Sequence, residues 1–106
     1  MIDDKKIAEL RSLHGDNLHL IAIPDMGFEG VFRGPDQVLW RKLRVEADNA
    51  ATQFTADQNF AVACLVHPGH EELSALANRY PAIYQKISTR LGVIGGAAAE
   101  VVVKKL

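Results

Sequence analysis

The segment NLHLIAIPDMGFEGVFR, residues 17–33, decides the fold. Its first part sets Leu18 and Leu20 in alternation and then, less regularly, adds Ile21 and Ile23. A short apolar run bounded by turn formers predicts a strand. Pro24-Asp25-Met26-Gly27 has turn composition, because proline fixes φ and glycine tolerates positive φ. The second part, FEGVFR, alternates well enough to return as the partner strand of a hairpin. Two strands alone are marginal in water, so such a hairpin has to lie on helices. The expectation is an α+β fold, a small β-hairpin of two or three strands packed against four to five short helices.

Upstream, DDKKIAELRSLH (3–14) carries Ile7, Leu10 and Leu13 at helical spacing. Asp3 and Asp4 suit the positive end of that helix's dipole, and Gly15 is placed to end it. Downstream, GPDQVLWRKLRVEADNA (34–50) starts with Pro35, which favours the first helical position, and Asp36. The pattern predicts an amphipathic helix of about four turns. Val38, Leu39, Lys42, Leu43 and Val45 fall on one side, and Arg41, Arg44 and Asp48 elsewhere. Trp40 is expected to seat this helix on the hairpin. TADQ (55–58) has the form of a capping box, predicting a third helix from Asp57 or just before it. That helix should stop near His67, since Pro68 disfavours helical backbone ahead of it. HEELSALANRY (70–80) predicts a fourth helix, and Pro81 opens a fifth with Ile83, Ile87, Leu91 and Ile94 on one face. Gly95 and Gly96 either break it or allow a close contact, and AAAEVVVKKL (97–106) could continue it.

A chain of 106 residues suits one domain, and a core of that size needs no covalent staples. A net charge of −1 gives no basic footprint for nucleic acid. One cysteine leaves no intramolecular disulfide and fits a reducing compartment. The charged start, MIDDKKIAEL, does not read as a signal peptide, and no apolar run has the length of a membrane span. A cytoplasmic protein is expected.

Cys64, His67 and His70, in CLVHPGH (64–70), stand three residues apart and are all borderline-soft ligands, which makes them the candidate metal set. Zinc takes four ligands, or three and an open position, and a Pro-Gly bend separates His70 from the other two. Packing explains the residues more simply. Cys64 is a small core residue in FAVACLV, His67 suits a helix C-terminus, and His70 precedes the next helix. No metal or other cofactor is expected.

The chain has no G-x-S-x-G elbow, and an apolar setting would keep Cys64 inert. Asp3-Asp4 and Glu71-Glu72 are accounted for by helix starts, so no catalytic residue is assigned. Trp40, Phe54, Phe60, Tyr80 and Tyr84 are not interleaved with basic residues and read mainly as packing residues. Val101, Val102 and Val103 form a run that is apolar nearly all round, which implies deep burial or a partner. Together with Tyr84 they are the candidate partner-binding residues.

The order KKIAELRSLHGD, a strand, GVFRGPDQVLWRKL, NFAVACLVHPGHEEL and a closing AAAEVVVKKL resembles the small tail assembly chaperones of long-tailed bacteriophages and prophages. Members often carry a K-K-I-x-E-L helix, an aromatic-Arg-x-Pro junction and a Cys-bearing apolar helix ahead of a charged turn. Here these are Lys5 to Leu10, Phe32 to Pro35 and Cys64 to Glu72. PDMGFEG as the hairpin turn and Gly95-Gly96, where many relatives keep a continuous helix, depart from the pattern. The resemblance implies a non-enzymatic assembly factor that binds the tape measure protein, recruits tail tube subunits and is absent from the virion. It also implies two product lengths made by ribosomal frameshifting, of which this chain would be the shorter, with Lys104-Lys105 a suitable place for the slip. Homo-oligomerisation is left open. The alternative is a small helical interaction module or a transcriptional or antitoxin-type regulator, against which the neutral charge counts.

Overall fold

The computed structural model describes residues 2–106. In chain order the elements are α1 (Asp4–His14), β1 (Leu18–Ile23), β2 (Phe28–Arg33), α2 (Gln37–Ala47), α3 (Ala56–Cys64), β3 (Leu65–His67), α4 (His70–Arg79) and α5 (Ile83–Ile94). The expected α+β class holds, and the hairpin lies where its sequence put it. Its register runs from Leu18 opposite Arg33 to Ile23 opposite Phe28. A short 3-10 turn, Pro24–Met26, closes the hairpin on Gly27, whose φ of 64° and ψ of 25° are left-handed values that favour glycine.

A third strand joins the hairpin, in the order β1-β2-β3. It occupies residues that were expected to end a helix. Leu65 turns extended, at φ −68° and ψ 125°, directly after Cys64. The ladder to β2 then pairs Phe32 with Leu65 and Val31 with His67, with an irregularity between Val31 and Phe32. Pro68 restricts the residue before it to extended backbone, which suits a strand better than a helix end. The His67–Pro68 peptide is cis. β1 forms the opposite edge of the sheet.

Side-chain caps start two of the helices. The Asp3 carboxylate accepts from the Lys6 N–H and the Asp36 carboxylate from the Leu39 N–H, both at 2.8 Å. Asp36 is thus the cap of α2 rather than its first turn, and the helix is 11 residues long, about three turns instead of four. The expected capping box at α3 does not form. Thr55 makes no side-chain cap bond, and its hydroxyl instead donates to the Thr52 carbonyl at 3.1 Å. The Ile7, Leu10, Leu13 stripe is only partly used, with Leu10 buried and Leu13 exposed.

The core joins Phe28 and Phe32 of β2, Phe60, Ala61 and Cys64 of α3, Leu73 of α4, and Ile83, Ile87 and Leu91 of α5. Phe28, Gly30 and Phe32 share one face of β2 because strand side chains alternate. A methyl group at Gly30 would lie 2.8 Å from Phe32 Cε1 and 3.0 Å from Phe28 Cζ, so the two rings close over the glycine. The buried Ser88 hydroxyl donates to Asp57 Oδ1 at 2.6 Å and ties α5 to α3.

One expectation for α2 needs correction, and α5 takes one of the courses left open for it. On α2 the half-buried residues include Leu39, Trp40 and Leu43, whereas Val38 and Val45 face outward. Trp40 meets Phe60 of α3 edge-on, with ring centroids 6.0 Å apart at 67°, and lies beside Gly92 of α5. These two contacts are with helices, and Trp40 also packs against the core cluster to which Phe28 and Phe32 of the hairpin belong. α5 stops at Gly95, whose N–H bonds to the Leu91 carbonyl at 2.9 Å, and Gly96 follows at φ 100°. A positive φ at Gly96 ends the helical path, so residues 97–106 do not continue the helix.

Candidate functional site

An open groove of about 860 Å³ lies at the turn end of the hairpin, between the start of α1 and the β3–α4 junction. Three segments far apart in sequence build it. The Asp3 cap and the first turn of α1 bring Asp3 and Lys6 to one side. The hairpin contributes Ala22, Phe28 and Glu29, and the bend after β3 contributes His67, Pro68 and Glu72.

The chain start is held to the hairpin by the Ile2 N–H, which donates to Glu29 Oε2 at 3.0 Å. Lys6 is drawn along its own helix toward Glu9, with Nζ 3.7 Å from Oε1. The groove therefore combines apolar residues with a set of charges in which Asp3, Glu29 and Glu72 outnumber Lys6. Such a lining is complementary to apolar and basic side chains.

The sequence-derived candidates fall elsewhere or apart. Cys64 is buried in the core, His67 is half-buried on the groove wall, and His70 is exposed with Nδ1 3.9 Å from Glu71 Oε1. Among the described residues no group of three or more His, Cys, Asp or Glu side chains is placed to hold a metal ion. Burial pushes the Cys64 thiol up from 9.0 to about 11, against a smaller lowering by the Arg33 charge and a further rise from Asp36.

Tyr84 is half-buried against the core on α5. Val101, Val102 and Val103 are 83%, 68% and 88% exposed. Of the two readings of that run, burial is ruled out within the single chain. No sequence motif signalled the groove, since its residues gather only through the hairpin register and the bend at Pro68.

No family model and no curated protein matches the chain. Among solved structures it is similar to an uncharacterised protein from Bacillus stearothermophilus, with 26% identity and a TM-score of 0.79. That match covers 92% of this chain and 99% of the other, so the architecture is shared almost end to end. Among the described residues no helix is long and apolar enough to cross a membrane.

Proposed function

We propose that the chain is a tail assembly chaperone of a long-tailed bacteriophage or prophage, working in the host cytoplasm. In this reading it binds the helical tape measure protein and recruits tail tube subunits around it. The observation that carries the proposal is a set of large apolar side chains on the outside of short elements. Val38 and Val45 of α2 are 70% and 68% exposed, and Phe54, in the turns before α3, is 91% exposed. Val38 and Val45 are seven residues apart, about two helical turns, so they stand on one side of α2. Such a strip offers an amphipathic client helix a place for its apolar face. Val101 to Val103 add further exposed apolar surface. The order of motifs from Lys5 to Glu72 supports the same reading.

Co-expression with the tape measure protein encoded nearby tests this. The expected result is a soluble complex of the two proteins, lost with Val38→Glu/Val45→Glu while that variant keeps its fold. A tape measure protein that stays insoluble beside the chain would overturn the proposal. So would a gene neighbourhood lacking tail tube and tape measure genes.

A further inference from the structure

The acidic groove and the C-terminal segment of the same chain match each other. The groove is lined by the apolar Ala22, Pro24 and Pro68 and by Asp3, Glu29 and Glu72, with Lys6 as a single basic side chain among them. Residues 101–106, VVVKKL, carry three valines followed by two lysines and a leucine. Among the described residues the last backbone hydrogen bond joins the Ala99 N–H to the Gly96 carbonyl, and beyond it the segment stands exposed. We propose that residues 101–106 of one copy lie in the groove of a second copy, and that the exchange is reciprocal.

The valines supply apolar area to the groove, and the Lys104 and Lys105 ammonium groups meet its carboxylates. A chain cannot easily serve itself in this way. Its C-terminal segment leaves α5 at Gly95, where a methyl group would lie 3.1 Å from Pro35 Cγ, at the open end of the hairpin. The neighbouring Gly34 N–H bonds to the Asn17 carbonyl there at 3.0 Å. The groove is at the other end, beyond strands of six residues, roughly 20 Å away. The six residue steps from Gly95 to Val101 span about 20 Å only when drawn fully straight, so a fit within one chain would use the whole linker and undo the turn in which the Ala99 N–H bonds to the Gly96 carbonyl. A two-fold pair that exchanges both segments closes on itself and leaves neither groove empty. The inference is independent of the chaperone reading. Where both hold, the valines are open to a client only when the copies part.

Sedimentation equilibrium of the full chain across the micromolar to submillimolar range tests the proposal. A monomer–dimer equilibrium that weakens with salt is expected, because the lysine–carboxylate contacts are charged and solvent-accessible. Deletion of residues 101–106 should give a monomer. Lys104→Glu/Lys105→Glu should weaken association about tenfold or more, and so should Glu29→Lys/Glu72→Lys. Glu72→Lys alone should weaken it too, which covers loss of the Ile2–Glu29 bond in the double variant. Mixing the two charge-reversed double variants should restore dimers, since each acidic segment then faces a basic groove and each basic segment an acidic one. A monomer at every concentration would overturn the proposal, and so would a dimer that survives the deletion.

Discussion

Cys64 carries its chemistry in its burial. The thiol is neutral when protonated, and the apolar core raises its pKa from 9.0 to about 11. The unfolded chain releases that proton near 9.0, while the folded chain keeps it until about 11. The resulting contribution to stability is complete below the lower value and is lost as pH rises through the upper one. Urea unfolding at about pH 8 and about pH 11 should show the wild type losing about 2 kcal/mol more than Cys64→Ala. Equal losses in the two proteins would place the thiol in contact with water. Gly30 works through the space it leaves. Gly30→Ala drives a methyl group into two buried phenyl rings and should cost about 1–3 kcal/mol in urea titrations. Phe28→Leu in the same chain should recover part of that cost. The sequence identified Cys64 as a core residue from its apolar neighbours, but nothing in FEGVFR reveals that its glycine sits beneath two rings.

At the scale of elements, α2 is anchored by Trp40 against Phe60 and Gly92. Trp40→Ala should destabilise the protein by about 3 kcal/mol, the lower end for a core aromatic because the indole is only half-buried. A near-neutral change in thermal or urea unfolding would mean that α2 is held by other contacts. The helices and the hairpin were legible because periodicity, turn formers and capping carboxylates all act locally. The misread stretches are those decided by partners distant in sequence. Leu65 and Val66 suit a helix end or a strand equally, and only the ladder to Phe32 and Val31 selects the strand. Val38, Leu39, Leu43 and Val45 were expected on one side of α2, but at about 100° per residue they form two groups, Leu39 with Leu43 and Val38 with Val45. The position of α3 determines which is buried. The TADQ pattern names a capping box, yet Thr55 turns its hydroxyl back to Thr52.

For the whole molecule, a compact chain of this length has a radius of gyration of about 13 Å, whereas this one measures 15.2 Å. The segment after α5 stands off the body and accounts for part of the excess. Removing residues 97–106 should bring the radius measured by small-angle scattering of dilute protein toward the compact value. The groove was not legible at all, because it is assembled from the chain start, a hairpin turn and a bend nearly forty residues further on. The sheet has a consequence of its own. β1 has a strand on one side only, so its amides alternate between those that donate to β2 and those that face away. Transferred into deuterium oxide, alternate residues of Leu18–Ile23 should take up the heavy isotope quickly while those between them stay protonated far longer. Slow uptake at every position would mean that another backbone had laid itself along that border.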